Sequence, residues 1–233
     1  MNTMIKSILV SLTIALLCSC GTVGEKQDIA VAEPPPELVP TLQFIPTLES
    51  DPETGEQLAY QPVENPYLVV KGKLNKTSVE QYIEARRAFK AEQWQQAETL
   101  LKTLIESDKA LSGPWVMRGD IALATQQNDD ALGFYQQAIE INPDNINAYL
   151  RLAKLHRIRG EFLQAQNIYA EALTIWPDFP EAHLNLGVLY DIYLNMPLRA
   201  QKHMEAYQLL TNDNNAQVGE LGLPVALCYC RCQ

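Results

Sequence analysis

Five cysteines stand near the two ends of the sequence, and their thiolates are the groups whose spacing first calls for a chemical interpretation. Cys18 and Cys20 lie near the amino terminus, whereas Cys228, Cys230 and Cys232 alternate close to the end of the chain. Thiolates bind Zn²⁺ and Cu(I), so the second group could be a soft-metal site or a redox tail. Structural zinc sites use a longer C-x2-C spacing with a second ligand pair, and the histidines occupy repeat positions described below. We therefore predict no metal site and no cofactor.

The amino-terminal segment resembles a secretory signal peptide. A lysine precedes an apolar stretch from Ile8 to Leu17, as in the charged and apolar regions of such a peptide. The stretch has about ten residues, too few to cross a bilayer core of roughly 30 Å as a permanent helix. The sequence therefore predicts a removed signal peptide at residues 1–19 rather than a transmembrane anchor.

The run Leu17-Cys18-Ser19-Cys20 resembles the bacterial lipobox, in which a small residue precedes the cysteine that receives a diacylglycerol. Cys20 fits this role better than Cys18, because the small Ser19 precedes it. In the lipoproteins of diderm bacteria that it resembles, the next residue influences sorting, and Gly21 is not the aspartate of an inner-membrane retention signal. The resemblance implies lipidation of Cys20 and an outer-membrane anchor that faces the periplasm. A soluble secreted protein cleaved near the same place is the alternative.

The segment that follows has the composition of a tether. Residues 21–77 contain eight prolines and nine acidic residues against four lysines, a composition typical of an extended linker. We predict a lipid-anchored, disordered, proline-rich tether over residues 20–77. Within it, the apolar run from Tyr67 to Val70 is either an extended patch that packs on the first helices or an incidental apolar run.

A period of 34 residues organises the rest of the chain, with copies that start at Ser78, Ser112, Ile146 and Pro180. Small residues recur at offsets 8, 20 and 27, where two antiparallel helices and the next repeat approach closely. Large residues recur at offsets 4, 7, 11 and 24 and fill the space around them. The third copy shows the pattern at Tyr149, Leu152, Ala153, His156, Ala165, Tyr169, Ala172 and Pro177.

These positions resemble the tetratricopeptide repeat family, whose pattern is W-x2-L-G-x2-Y followed by A-x3-F, A and P. The resemblance implies an all-α fold, a right-handed superhelical solenoid of about four helix-turn-helix pairs. The pairs are expected at residues 78–111, 112–145, 146–179 and 180–213, followed by an irregular tail at 214–233.

The first and fourth copies depart from the family pattern. In the first, Gln81 replaces the aromatic residue and Lys109 replaces the proline. The fourth needs a one-residue insertion to align its second helix, so we expect a remodelled turn at Leu194 to Pro197. Thr77 and Glu80, three apart, predict a capping box at the start of the array.

The resemblance also implies a concave groove, lined by offsets 2, 5, 9, 12 and 13 of each first helix. The candidate groove residues include four cations in an acidic protein, so the expected ligand is an extended protein segment with acidic and apolar groups. The candidates are Tyr82, Arg86, Phe89, Lys90, Asp120, Leu123, Leu150, Lys154, Arg157, Ile158 and Asp191. A solvated face without a ligand is the alternative.

Charge and motif content bound the function. The formal net charge of −10 argues against nucleic acid as a partner. The sequence shows no nucleophile motif, H-E-x-x-H pair or Gly-rich phosphate loop, and His156 and His183 occupy packing offsets, so we expect no enzyme. Within the cell envelope, the expected roles are an adaptor that regulates peptidoglycan synthesis or hydrolysis, or a subunit of a pilus, secretion or TonB-type energy-transduction complex. The sequence leaves the oligomeric state open.

Overall fold

The computed structural model describes residues 37–69 and 75–211. The predicted signal peptide, the predicted lipidation site Cys20 and the predicted tail at 214–233 lie outside these residues. Within them the secondary structure is helical, apart from an isolated antiparallel bridge between Ser50 and Gln57. The α-helices are α1 (Pro66–Val69), α2 (Lys76–Lys90), α3 (Trp94–Ser107), α4 (Gly113–Ala124), α5 (Asn128–Ile141), α6 (Ile146–Ile158), α7 (Phe162–Ile175), α8 (Pro180–Val188) and α9 (Pro197–Thr211). A short 3-10 helix spans Leu42–Phe44.

Helices α2 to α9 form four successive antiparallel pairs, and each pair packs on the next one. The small residues at offsets 8 and 20 lie where the two helices of a pair meet. Ala85, Ala97, Ala131 and Ala165 are all fully buried. The large residue at offset 24 fills the remaining space, since Tyr135 and Tyr169 are also fully buried. The alternation of small and large side chains therefore sets the close approach of the helices.

The turn inside each pair uses a residue with a positive φ angle at offset 15. Glu92, Gln126 and Gly160 have φ of 57°, 63° and 78°. In the fourth pair the residue with this conformation is Asn195, at φ 52°, one position later than in the other pairs. The predicted one-residue insertion is therefore real. A five-residue π-helix at Leu189–Tyr193 accommodates it, because a π turn takes up more residues than an α turn.

The start of the array differs from the predicted capping box. Helix α2 begins at Lys76, and the Asn75 side chain accepts a hydrogen bond of 3.0 Å from the Thr77 backbone N–H. Asn75, and not Thr77, is therefore the N-cap. Among the described helices, none is long and apolar enough to cross a membrane.

Residues 37–69, which we name the strap, pack against the array. Thr41 is 1% exposed, and its hydroxyl lies 2.8 Å from both the Tyr190 hydroxyl and His203 Nε2. Further along, Tyr60 and the Val63 backbone bind the buried Asp178 carboxylate. The prediction of a disordered tether is therefore wrong for this part of residues 20–77. Array side chains satisfy strap backbone groups that a free linker would expose to water.

The apolar run near the end of the strap is helical rather than extended. Pro66 to Val69 form the single turn α1, and the Asn65 side chain accepts a hydrogen bond from the Tyr67 backbone N–H at 3.0 Å. The Tyr67 ring packs against the hydrophobic core of the third and fourth pairs. The first alternative is therefore wrong in form and in place, since Tyr67 packs on the third and fourth pairs and Leu68 is 52% exposed.

Candidate binding groove

The first helices of the first three pairs, α2, α4 and α6, line a groove together with the end of the strap. It encloses a volume of about 400 Å³. Five of the eleven predicted groove residues lie in its wall, and the strap adds the Tyr67 ring. The wall consists of Tyr67, Tyr82, Arg86, Phe89, Lys90, Gly113, Val116, Met117, Asp120, Asn145, Asn147 and Arg151.

The charge of the groove wall is positive. Arg86 and Lys90 come from α2 and Arg151 from α6, against the single carboxylate of Asp120 on α4. Arg86 and Lys90 are both exposed, so their charges are available to a ligand. The Phe89 ring packs edge-on against Trp94 at 5.4 Å between centroids, which fixes an apolar surface beside the two cations.

Asp120 is the centre of a hydrogen-bonded network at the floor of the groove. Its Oδ1 accepts a hydrogen bond of 2.8 Å from the Tyr135 hydroxyl and lies 3.2 Å from Arg151 Nε. Burial raises the pKa of Asp120, while Arg151, Tyr135 and Lys154 act to lower it. Arg151 is only half-buried, so one of its faces remains open towards the groove.

Three other predicted residues do not line the groove. Lys154 is exposed on α6, and its charge reaches Asp120. Leu123 and Leu150 pack instead against hydrophobic cores of the array. The two leucines therefore support the groove helices, whereas Lys154 presents its charge to solvent.

The last three predicted residues lie towards the fourth pair. The Arg157 guanidinium lies 6.0 Å from the centre of the Tyr193 ring, which stacks on Phe162 at 4.5 Å. Ile158 is 51% exposed on the same helix end, and Asp191 is exposed within the π-helix. The structure thus brings five of the eleven predicted residues together in the groove, and it places Arg157 beside Tyr193 instead.

Sequence reasoning missed two kinds of groove residue. Asn147 and Arg151 lie on α6 and complete the third wall. Asn147 stands at offset 2, which belongs to the predicted groove offsets although the residue was not among the candidates, whereas Arg151 stands at offset 6, outside them. Arg151 follows offset 5 directly on the helix, so the periodicity did contain a signal for it. Tyr67 is different, because nothing in the repeat pattern places a strap residue in the groove.

The histidines have structural partners. His156 Nδ1 lies 2.6 Å from Glu161 Oε2, next to the turn between α6 and α7. His183 Nδ1 lies 2.9 Å from His203 Nδ1, in a buried pair. Burial lowers the pKa of His183 and, with the neighbouring His183 and Arg199, lowers that of His203 to about 3. Within residues 37–69 and 75–211, no cluster of three potential metal ligands occurs; Cys228, Cys230 and Cys232 lie outside them.

The repeated pairs and the groove define this chain as a helical repeat protein. The profile described as TPR repeat matches residues 119–157, and the one described as Tetratricopeptide repeat matches residues 146–189. The array therefore contains tetratricopeptide repeats. Such repeats are in general non-catalytic protein-interaction scaffolds.

Two curated proteins share part of this sequence. Protein CTR9 homolog of Arabidopsis thaliana is 28% identical over 141 residues, 60% of this chain and 13% of that protein. The human protein O-mannosyl-transferase TMTC3 is 34% identical over 83 residues, 35% of this chain and 9% of that protein. The aligned stretch is thus a small fraction of either relative.

Solved structures are similar in fold. A crystal structure of MamA superposes with a TM-score of 0.51 at 19% identity, covering 63% of this chain and 85% of that one. TTC0263, described as a thermophilic TPR protein in Thermus thermophilus, superposes with a TM-score of 0.50 at 15% identity, covering 58% of this chain and 75% of that one. At these identities the likeness shows the fold alone.

Proposed function

We propose that this protein is a tetratricopeptide adaptor of the bacterial cell envelope that binds a protein partner through the groove. The observation that carries the proposal is the group of cations Arg86, Lys90 and Arg151 around an apolar wall, in a chain whose net charge is −10. A positive groove in an acidic protein favours one class of ligand by electrostatic complementarity. The ligand is an extended peptide segment with acidic and apolar side chains.

The proposed location is the periplasmic face of the outer membrane, with a lipid on Cys20. Its support is the resemblance of residues 17–20 to a lipobox and the absence of an aspartate at Gly21. Because the strap binds the array, only residues 21–36 separate the proposed anchor from the docked part. Sixteen residues span at most about 55 Å when extended, so the array would work close to the membrane.

The proposed role is the regulation of peptidoglycan synthesis or hydrolysis by a partner held in the groove. The short distance to the anchor is compatible with a partner at the level of the peptidoglycan. The second candidate is a subunit of a pilus, secretion or TonB-type energy-transduction complex, in which the same adaptor surface would hold a structural component. The two differ in the partner that affinity capture from crosslinked envelopes should recover.

The groove is tested by charge reversal with a matched control. Arg86→Glu with Lys90→Glu removes two exposed cations of the groove wall, whereas Arg87→Glu with Lys109→Glu makes the same charge change at exposed positions outside it. We expect the groove variant to lose the captured partner and the control to retain it. Equal capture by both variants would exclude this groove as the binding site.

The anchor is tested separately by metabolic labelling with a fatty-acid probe. The wild-type protein should take up the label, and Cys20→Ala should not. Label on the Cys20→Ala protein would refute the assignment of the lipid to this residue.

A further inference from the structure

The array holds the first part of the strap, residues 37–41, in a built site for a peptide segment. Gln166 on α7 pairs with both backbone groups of Val39: its Oε1 accepts from the Val39 N–H at 3.1 Å, and its Nε2 donates to the Val39 carbonyl at 2.8 Å. Asn167 donates to the Glu37 carbonyl at 2.9 Å. Gln166 is fully buried. These hydrogen bonds all involve backbone atoms of the strap, so they do not depend on the side chains of residues 37 and 39.

The Thr41 hydroxyl is the side-chain group that this site selects. The Pro177 carbonyl can only accept, so His183 donates to it through Nε2 at 2.8 Å and, as a neutral ring, accepts at Nδ1. His203 must then donate through Nδ1 and accept at Nε2 from the Thr41 hydroxyl. The Thr41 oxygen in turn accepts from the Tyr190 hydroxyl, which accepts from Gln166 Nε2 at 3.1 Å. Without a hydroxyl at this position, His203 and Tyr190 both lose a buried partner.

The strap carries the segment that fills this site twice, in tandem. Residues 37–42 read Glu-Leu-Val-Pro-Thr-Leu, and residues 43–48 read Gln-Phe-Ile-Pro-Thr-Leu. The copies share Pro-Thr-Leu, a β-branched residue before the proline and a large apolar residue before that. Thr47 thus corresponds to Thr41, and it is exposed.

Each hydrogen bond from the first copy to this site uses either a backbone atom or the threonine hydroxyl, both of which the second copy also has. Leu38 packs against the hydrophobic core, and Phe44 would take its place after a shift of six residues. Phe44 itself packs against this core in the observed register, and Ser50 would replace it there. That lost contact makes the observed register the preferred one.

The strap contains enough chain to allow the shift. Beyond the second copy, it makes an excursion held by the Leu58 N–H to Glu49 carbonyl and Asp51 N–H to Glu56 carbonyl hydrogen bonds, both 2.8 Å. Residues 50–59 are for the most part exposed. Opening this excursion supplies six residues without moving Tyr60 and Val63 from Asp178.

We propose that the site formed by Gln166, Tyr190 and His203 is a peptide-binding site for a β-branched-Pro-Thr segment, and that residues 43–48 are its second ligand. Docking of the second copy in place of the first shifts the strap by six residues. Six more residues then precede the site, which adds about 20 Å of contour length. The effect of this length on the distance to a membrane rests on the proposed anchor, whereas the exchange of registers does not.

The test is a double-mutant cycle on the full chain, read as the thermal midpoint. Thr→Val keeps the shape of the side chain and removes the hydroxyl. We expect Thr47→Val alone to leave the midpoint unchanged and Thr41→Val to lower it. Thr41→Val with Thr47→Val should lower it further than the two single changes added together, because neither copy then supplies a hydroxyl. Thr41→Ser, which keeps the hydroxyl, is the matched control and should stay close to wild type.

Proteolysis of the native protein localises the effect. In Thr41→Val the first copy leaves the array, so a glutamate-specific protease should cut after Glu37 faster than in wild type. Equal midpoints for Thr41→Val and the double variant would overturn the proposal, because Thr47 would then not stabilise the Thr41→Val protein. The same conclusion would hold if both variants failed to fold. A Thr41→Val midpoint that rises with protein concentration would overturn it too, because the second copy would come from another chain. Neither readout uses a groove partner or a lipid.

Discussion

Gly119 is the position where one added methyl group should reveal most about the packing of the array. It lies at offset 8 of the second pair, against the buried ring of Tyr135. A Cβ atom built on Gly119 would lie 2.3 Å from Tyr135 Cε1 and 2.6 Å from Cδ1. The ring is fully buried, and its hydroxyl is bonded to Asp120 at 2.8 Å. In Gly119→Ala the ring must therefore move, and its hydrogen bond must stretch or break.

The expected cost follows from three effects. Overpacking of this kind costs about 1 to 3 kcal/mol, and loss of a hydrogen bond to a charged group costs about 1.5 to 3 kcal/mol. Replacing glycine by alanine inside a helix returns about 1 kcal/mol. The sum is a loss of roughly 1.5 to 5 kcal/mol in the free energy of unfolding. For a chain of this size each kcal/mol lowers the midpoint by about 2 to 4 °C, so we expect a fall on the order of 10 °C.

Gly187→Ala provides the matched control at the same offset of the fourth pair. There the added Cβ meets the flexible end of Met204, at 2.7 Å from Cε and 2.9 Å from Sδ. The thioether chain can rotate away, so the cost should be within about 1 kcal/mol. Both variants are compared with wild type by circular dichroism during thermal and urea unfolding. If Gly119→Ala were as stable as Gly187→Ala, the argument that the Tyr135 ring fixes this contact would be wrong.

Two further perturbations test the strap and the histidine pair. The thermal midpoint should fall as the pH decreases from about 6.5 towards 3. Burial depresses the folded-state pKa of His203 to about 3 and lowers that of His183, so the unfolded chain binds these protons first. Asp178 opposes the pKa shift of His183, whereas Arg199 adds to that of His203. His203→Gln should have a shallower dependence over this range, and an unchanged slope would contradict the assignment. Asp178→Asn should lower the thermal midpoint by an amount equivalent to about 1.5 to 3 kcal/mol. The Asp178 carboxylate accepts from the Tyr60 hydroxyl at 2.7 Å and from the Val63 N–H at 2.6 Å, and in the variant one of these donors would face an amide NH₂. An unaltered midpoint would show that this contact does not hold the strap.

The array was predictable from the sequence because its contacts repeat at fixed offsets. Arg86 and Lys90 could be placed beside Phe89 because the resemblance to tetratricopeptide repeats gives the offsets of the groove, and the extra residue of the fourth pair appeared as a gap in the alignment. The sequence shows only that the fourth pair must accommodate one extra residue before Asn195. It does not predict that a π-helix accommodates this residue.

The strap escaped prediction for a physical reason. Its composition is that of a linker, and its attachment uses backbone groups and a few polar side chains instead of a continuous apolar face. Thr41 finds its partners 149 and 162 residues away, at Tyr190 and His203. No local pattern around Thr41 indicates that its hydroxyl binds a buried pair of histidines. Single polar contacts over such separations leave no periodic signal in one sequence.

The strap also changes how the end of the array is stabilised. In a repeat protein each pair contacts only its neighbours, so a terminal pair lacks the support that an internal pair receives from both sides. Here a segment from before the first pair supplies contacts to the third and fourth pairs, through Gln166, Asp178 and His203. These contacts connect distant parts of the chain, whereas each described helix pair packs on its neighbours. Because the strap also reaches the groove at Tyr67, a change in its attachment alters a wall of the proposed binding site. The strength of the strap and the affinity of the groove should therefore be linked.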